Sequence, residues 1–258
     1  MIISLAQTSP IKNSLTDSLN SHKAWVTAAV KEKSDCILFP ELSITGYEPT
    51  TAHQNAVSPE VQELMELQAM SDQHDIIIGV GMPIKTGHQL TINLIIFAPN
   101  APVTCYAKQH LHPDETPYFA SGDRQVIFKA SELKIAPAIC YESLKEEHLE
   151  HCKSLGAKVY AASVAKSERG LTKAYDYYAY AAKKYSIPIL MCNCVGTYDH
   201  MICTGQSAIW NDQGELVASL DSTKKALLVY NTQTNQAYKR PAPSLNHMYT
   251  ASHTKYKT

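Results

Sequence analysis

Four polar residues with catalytic potential lie where apolar, strand-like runs of the sequence end. Glu41 follows the run DCILFP, Lys108 follows VTCYA, and Cys140 follows IAPAI. A second carboxylate, Glu115, comes shortly after Lys108 in the segment HPDE. In open α/β sheets, ligands collect beyond the carboxyl ends of the strands. We therefore expect these side chains to share one cleft.

A thiol, two carboxylates and an ammonium could together form the centre of a nucleophilic hydrolase. A cysteine with an ordinary pKa of about 8.5 is only slightly ionised at neutral pH, so a nearby base or cation must assist it. Glu41 could accept the thiol proton, pass it to the departing amine, and then take a proton from the hydrolytic water. Lys108 and the backbone N–H of Tyr141 could stabilise the oxyanion of the tetrahedral intermediate.

The elements that must position these residues follow a repeated order along the chain. Strand, helix, strand, helix and further strands are predicted from residue 2 to residue 107, with the second helix starting at Ser58-Pro59. After an irregular segment over 108–122, a similar series runs from 126 to 231. Two such halves predict an α/β fold in four αββα layers, made of two mixed sheets with an approximate internal two-fold.

Composition limits the possible functions. The chain has 258 residues, of which 45% are hydrophobic, and this is enough for one large domain. Its 23 basic and 24 acidic residues provide no strong positive field, so nucleic acid is not an expected partner. No uninterrupted apolar run is long enough to span a membrane, and no leader sequence is evident. We expect a soluble, cytoplasmic protein.

The cysteines and histidines do not predict a metal site. Most of the seven cysteines lie in apolar runs, where a free thiol behaves as a small hydrophobic group in a reducing compartment. Cys192 and Cys194, and likewise His110 and His112, are spaced as pairs, but no second ligand pair accompanies them.

Longer segments around the four polar residues resemble a known family. The segments LFPELSITGYEP, YAKQHLHPDETPYFASGD and PAICYES are similar, in this order, to the three signature segments of the carbon-nitrogen hydrolase (nitrilase) superfamily. The resemblance continues through IPILMCNCVG and TGQSAIWNDQGELVASL, so it covers nearly the whole chain from residue 2 to residue 231.

The resemblance implies a role for each matching residue. Glu41 matches the general base, Lys108 the catalytic lysine, Cys140 the nucleophile, and Glu115 an additional carboxylate that positions substrate or lysine. It also implies an αββα sandwich over residues 1–231, no metal or organic cofactor, and a homodimer or larger homo-oligomer. Residues 232–258 form a polar tail that we expect either to be loose or to contact a partner subunit.

The substrate is less constrained by the sequence. Tyr47, Tyr118 and Phe119 lie beside motif residues and are candidates for the pocket wall. Either Lys166 or Arg169 could hold a substrate carboxylate by a charge-assisted bond. A further group of aromatic residues at helical spacing is expected to pack against a sheet or a partner rather than to line the pocket: Tyr175, Tyr177, Tyr178 and Tyr180.

Several interpretations stay open at this stage. Glu142 either contacts the substrate or forms structural interactions, and we favour the structural role. An aliphatic or acidic amide, hydrolysed to a carboxylate and ammonia through a thioester, is the expected small-molecule substrate. Nitriles and N-carbamoyl amines need the same sulfur, base and cation. The chain departs from common family motifs: no Arg follows shortly after Cys140, and Ala107 precedes Lys108 in place of Arg. A non-catalytic ligand-binding or scaffold protein of the same fold is the remaining alternative.

Overall fold

Fifteen strands build the structure, a computed structural model that describes residues 1–56 and 62–244 of the chain. In chain order they are β1 (Ile2–Gln7), β2 (Cys36–Leu38), β3 (Ile77–Thr86), β4 (Gln89–Phe97), β5 (Thr104–Ala107), β6 (Phe128–Ala130), β7 (Leu133–Ile139), β8 (Val159–Ser163), β9 (Ile189–Cys192), β10 (Val195–Tyr198), β11 (Met201–Thr204), β12 (Ala208–Trp210), β13 (Leu216–Ser219), β14 (Ala226–Asn231) and β15 (Gln236–Pro241).

The strands form two large mixed sheets and one separate hairpin. The first sheet has the order β15-β14-β1-β2-β3-β4-β5, and the second has the order β13-β12-β9-β8-β7-β6. In the first sheet, β1, β2 and β3 are parallel while β14, β4 and β5 pair antiparallel at the two sides. In the second sheet, β7, β8 and β9 are parallel while β6, β12 and β13 pair antiparallel. The same pattern of directions in both sheets confirms the predicted internal repeat.

Helices cover the outer face of each sheet. They are α1 (Leu15–Lys31), the short α2 (Ala52–Asn55), α3 (Gln62–His74), α4 (Glu146–Ser154) and α5 (Glu168–Tyr185). Helix α1 begins at an N-cap, Ser14, whose side chain accepts a hydrogen bond from the backbone N–H of Asp17 at 3.2 Å. The predicted helix start at Ser58-Pro59 lies outside the described residues. Among the described residues, none of the helices has both the length and the apolar character needed to cross a bilayer.

Three apolar clusters join these layers. One cluster lies between the two sheets and includes Leu5 and Leu94 of the first sheet and Ile135 and Leu190 of the second. The other two clusters pack α1 and α3 on the first sheet and α4 and α5 on the second. The order of layers is therefore helix, sheet, sheet, helix, as the sequence predicted. The parallel strands are buried on both faces, because each sheet is covered on both sides.

Contacts between the sheets bring the carboxyl ends of their parallel strands together. The Ser163 hydroxyl at the end of β8 donates to the carbonyl of Phe39, which directly follows β2. The Cys192 thiol at the end of β9 donates to the carbonyl of Leu38 at 3.2 Å. Residues that follow β2 and residues that follow β7 and β8 therefore face one another across the sheet interface.

Three features differ from the sequence-based expectation. The tail predicted from residue 232 contains an edge strand, β15, which pairs with β14. This strand is mostly exposed and has the sequence QAYKRP, so it carries no apolar alternation that could have revealed it. The segment after β9 forms the unpredicted hairpin of β10 and β11. After Cys140, where the sequence predicts a helix over about residues 143–154, the chain forms a 3-10 turn, Cys140–Leu144, followed by α4.

Two of the four tyrosines on α5, Tyr175 and Tyr178, pack against the second sheet as the sequence predicted. Tyr175 and Tyr178 both contact Trp210 of β12, with ring centroids 4.9 and 5.3 Å away. Tyr178 is fully buried, whereas Tyr180 is largely exposed. These side chains therefore hold α5 on the second sheet.

Candidate active site

Lys108 lies between two carboxylates in the interior of the protein. Its ammonium donates a 2.8 Å hydrogen bond to Oε1 of Glu41 and a 2.7 Å hydrogen bond to Oε1 of Glu115. All three side chains are almost completely withdrawn from solvent. Burying charged groups costs several kcal/mol for each ion unless they are paired and hydrogen-bonded, as they are here. The folded chain therefore brings together three of the four residues that the sequence analysis selected, in direct contact.

Two glycines let the segments that carry Glu41 and Lys108 approach neighbouring backbone closely. A Cβ at Gly81, on β3, would lie 2.2 Å from the backbone nitrogen of Leu42. A Cβ at Gly122 would lie 2.3 Å from the carbonyl oxygen of Ala107, and the N–H of Gly122 donates to the carbonyl of Lys108 at 2.8 Å. A residue with a Cβ at either position would force the backbone to move. Gly81 and Gly122 therefore help to fix the positions of Glu41 and Lys108.

Cys140 occupies the point where β7 ends and the 3-10 turn begins. Its φ is +48°, a left-handed conformation that is unusual for a residue with a side chain. The thiol lies 3.7 Å from the carbonyl oxygen of Ala165 and lines the same cavity as Glu41 and Glu115. Cys140 therefore lies directly beyond the end of β7, where the apolar run of the sequence stops.

Neighbouring charged groups have opposite effects on the pKa of the Cys140 thiol. Burial raises the pKa of the Cys140 thiol to about 12, and the carboxylate of Glu41 contributes to this increase. The ammonium groups of Lys166 and Lys108 act in the opposite direction and favour the thiolate. The protein at rest therefore holds a neutral thiol, and Cys140 could act as a nucleophile only by losing its proton to a base.

Lys108, Glu41 and Glu115 form a cluster of charged groups that could assist the removal of the thiol proton. Burial lowers the pKa of Lys108, but Glu41, the Cys140 thiolate and Glu115 raise it by more, so the lysine stays protonated. Burial and the negative charge of Glu41 raise the pKa of Glu115. Two carboxylates that share one ammonium can thus accept and release a proton beside the sulfur.

The cavity next to these groups has a volume of about 740 Å³, a size that suits a small molecule. Of the predicted substrate-binding residues, Tyr47, Tyr141 and Lys166 line it. The Tyr47 hydroxyl also donates to Glu115 at 3.3 Å.

Three other predicted substrate-binding residues do not line this cavity. Tyr118 is 39% exposed on the surface, and Phe119 packs in the cluster between the sheets. Glu142 is fully buried, and its carboxylate accepts hydrogen bonds only from protein groups among the described residues. The structural role that we favoured for Glu142 fits this placement.

The carboxylate of Glu142 links the nucleophile segment to the lysine segment. One oxygen accepts the backbone N–H of Ile139 at 2.6 Å and the hydroxyl of Tyr106 at 2.8 Å. The other accepts the backbone N–H groups of Gln109 at 2.7 Å and His110 at 3.2 Å. Burial raises the pKa of Glu142 to about 7, although these donors oppose the increase. The side chain of Glu142 therefore holds both the residue before Cys140 and the residues after Lys108.

Sequence reasoning missed several residues of the cavity wall. The β10–β11 hairpin contributes residues from Tyr198 to Met201 to the cavity wall, and the sequence of this segment contains no motif that predicts this role. Lys173 could have been found, because it lies four residues after Arg169 and therefore on the same face of α5. His112 and Asp114 also line the cavity, in the segment before Glu115. The described residues contain no group of His, Cys, Asp or Glu suited to hold a metal ion.

Comparison with solved structures identifies the same fold. An amidase from Nesterenkonia sp. AN1 superimposes with a TM-score of 0.81 at 19% sequence identity, covering 90% of this chain and 92% of the amidase. At this level of sequence identity, the similarity to the amidase shows the fold alone. A glutamine-dependent NAD+ synthetase from Acinetobacter baumannii has a TM-score of 0.80, covering 94% of this chain and 47% of the synthetase.

Comparison with curated sequences gives related proteins of several activities. The chain is 26% identical over 263 residues to the glutamine-dependent NAD(+) synthetase of Acinetobacter baylyi, covering 95% of this chain and 47% of the synthetase. It therefore spans about half the length of that relative. It is also 25% identical over 199 residues to the omega-amidase YafV of Escherichia coli, covering 73% of each chain. The sequence profile described as carbon-nitrogen hydrolase matches residues 2–241, and the chain therefore belongs to the carbon-nitrogen hydrolase family.

Proposed function

We propose that this protein hydrolyses the C–N bond of a small amide through a thioester on Cys140. The observation that carries the proposal is the buried contact of Lys108 with Glu41 and Glu115 at the wall of the cavity into which Cys140 also opens. A scaffold protein gains nothing from three buried charges beside a cavity, because burying them costs free energy. The amidase and omega-amidase among the related proteins support an amide as the substrate.

In the first half of the proposed reaction, the Cys140 sulfur attacks the amide carbonyl carbon while Glu41 takes the thiol proton. The carbonyl oxygen becomes an oxyanion, which Lys108 and the backbone N–H of Tyr141 stabilise. Glu41 then returns the proton to the amide nitrogen as the C–N bond breaks and ammonia leaves. The acyl group stays on the sulfur as a thioester.

In the second half, water hydrolyses this thioester. Glu41, again a carboxylate, accepts a proton from the water as its oxygen attacks the acyl carbon. The tetrahedral intermediate collapses, the C–S bond breaks, and the thiol recovers its proton. The products are a carboxylate and ammonia. Glu115 has a positioning role in this scheme, because it holds Lys108 from the side opposite to Glu41.

Nitriles and N-carbamoyl amines are the alternative substrates, since they would use the same sulfur, base and cation. A panel of small amides, nitriles and N-carbamoyl amines, with ammonia as the readout, tests the proposal. Turnover should be highest with amides and should disappear in Cys140→Ala. Cys105→Ala is the matched control, because Cys105 is also only partly buried but does not line the cavity. Ammonia release that survives Cys140→Ala would contradict the mechanism.

Assembly and location stay predictions. We infer a homodimer or larger homo-oligomer from the family resemblance alone. The polar sequence of the segment 232–258 indicates that its residues are either loose or near a partner subunit. Light scattering of the purified protein, with and without residues 245–258, would test this inference. A cytoplasmic location is likewise a prediction that fractionation of the source cells would test.

A further inference from the structure

Three cationic side chains that line the cavity beside Cys140 have no carboxylate partner among the described residues. Each carboxylate that lines the cavity has a basic neighbour: Glu41 and Glu115 pair with Lys108, Asp114 pairs with His112, and Asp199 lies 3.3 Å from His200. Lys166, Arg169 and Lys173 also line the cavity. Within the residues that the structure describes, none of these three has a carboxylate at salt-bridge distance. Lys166, Arg169 and Lys173 are therefore cations of the cavity wall that no carboxylate of the described residues contacts directly.

Lys166 is the most informative of the three cations, because it is only 6% exposed. Its backbone is held on both sides by the buried side chain of Asn193. The Asn193 Oδ1 accepts the N–H of Lys166 at 2.9 Å, and the Nδ2 donates to the carbonyl of Lys166 at 3.1 Å. Asn193 therefore fixes the backbone of Lys166 at the cavity wall. Burying the Lys166 ammonium there without an anion is costly, so the residue is prepared for an anionic ligand.

The start of helix α5 strengthens the same wall. Ser167, the N-cap residue of α5, and Gly170, in its first turn, line the cavity. The Ser167 side chain makes no capping hydrogen bond, so it leaves first-turn N–H groups available to another acceptor. A helix N-terminus also favours a negative charge through its dipole. Together with the buried Lys166, these groups form a built anion site.

We infer that the substrate is an amide that carries a carboxylate, and that Lys166, Arg169 and the start of α5 bind this carboxylate while Cys140 attacks the amide. This inference rests on the proposed function and specifies its substrate class. The cavity of about 740 Å³ holds the anion site and the sulfur together, so a chain of a few carbons between amide and carboxylate fits. Lys173 also lines the cavity and adds a third cation near this site.

A competing role for Lys166 is to stabilise the Cys140 thiolate, since its charge also favours that form. The two roles predict different results with matched substrates. If Lys166 acts on the sulfur alone, its loss slows every amide equally. If it also binds the substrate carboxylate, its loss slows the amides that carry one more than it slows the neutral amides.

The test compares amides of equal chain length with and without a carboxylate. The monoamides of succinic and glutaric acid are paired with butyramide and valeramide, and kcat/KM is measured from ammonia release. We expect the acidic amides to be preferred at least about tenfold, and Lys166→Met and Arg169→Gln to lower kcat/KM for them by about 10- to 100-fold. For the neutral amides we expect a smaller loss, so that the ratio of kcat/KM between acidic and neutral amides falls by about tenfold. Lys183→Met, at the exposed far end of α5, is the control and should alter neither class.

The outcomes separate this inference from the proposed function. Equal losses for acidic and neutral amides would overturn the anion site while leaving amide hydrolysis intact. Absence of turnover with every amide would contradict the proposed function instead. Binding to the Cys140→Ala protein, measured by calorimetry, tests the anion site without turnover. Succinamate should bind at least about tenfold more tightly than butyramide, and Lys166→Met should remove the difference. Equal affinity for both ligands would overturn the anion site whatever the activity.

Discussion

Lys108 donates a 2.8 Å hydrogen bond to Glu41, and both side chains are closed off from solvent. Glu115 holds the same ammonium from another direction at 2.7 Å. The lysine therefore compensates two buried negative charges at once. It has a structural role beside the catalytic role that we propose for it, and the two can be measured separately.

Lys108→Met should destabilise the protein as well as inactivate it. The substitution leaves two carboxylates buried without a cation, and breaking a buried ion pair in this way typically costs about 3–5 kcal/mol. Urea unfolding at neutral pH measures this loss. Adding Glu115→Gln to Lys108→Met removes one of the two charges and should recover part of the stability without restoring activity. If Lys108→Met were as stable as the wild type, the free energy of unfolding would not depend on the charge of Lys108.

The reactivity of Cys140 should increase steadily with pH. Because burial raises the pKa of its thiol to about 12, the thiolate fraction grows about tenfold per pH unit throughout the neutral and mildly alkaline range. The rate of Cys140 alkylation by iodoacetamide, followed by peptide mass spectrometry, should therefore show no plateau below about pH 10. Glu41→Gln removes a charge that raises the pKa, so it should speed alkylation at fixed pH while it lowers turnover. A plateau near neutral pH would indicate a resting thiolate instead.

Glu142→Gln should impair catalysis although Glu142 does not line the cavity. A glutamine would place an NH₂ group against the backbone N–H groups of Gln109 and His110, or of Ile139, and so disturb both catalytic segments. Since displacements of about 1 Å can cost about 100-fold in rate, we expect kcat to fall by about 10- to 100-fold with little change in KM. The control is Glu146→Gln, an exposed carboxylate in the next turn. An unchanged kcat with full stability would show that Glu142 does not position the site.

Gly81→Ala should displace Glu41. The new methyl group would lie 2.2 Å from the backbone nitrogen of Leu42 and 2.6 Å from the carbonyl oxygen of Pro40, so the loop that carries the base must move. Gly79→Ala, on the same strand, is the matched control, because its methyl would meet only the end of the flexible Leu38 side chain. We expect at least about a tenfold larger loss of kcat/KM at position 81 than at position 79. Equal losses would mean that the close approach at Gly81 does not hold the base.

The parts of the fold that depend on local patterns were predictable from the sequence. Strands such as β1, β7 and β14 appear as apolar runs of the right length, and they were predicted with the bounds that the structure has. The positions of Glu41, Lys108 and Cys140 at strand ends followed from where those runs stop. Glu41 and Lys108 follow strands of the first sheet and Cys140 follows a strand of the second, so their meeting also depends on how the two sheets pack face to face.

The parts that depend on distant contacts were not predictable. The β10–β11 hairpin and the edge strand β15 have no apolar alternation, so the neighbouring chain, rather than their own side chains, determines their conformation. The interactions of Glu142 connect it to Tyr106, Gln109 and His110, which are far away along the chain. A local motif cannot reveal whether such a carboxylate faces the cavity or the interior.

The thioester on Cys140 is the central claim, and intact-protein mass spectrometry tests it most directly. The protein is mixed with excess succinamate, quenched in acid within the first turnovers, and weighed beside Cys140→Ala and Glu41→Gln. We predict a mass gain of one succinyl group on the wild-type protein that maps to Cys140, is lost in Cys140→Ala, and is strongly reduced in Glu41→Gln. Ammonia release without any adduct on Cys140, and unchanged in Cys140→Ala, would contradict the account.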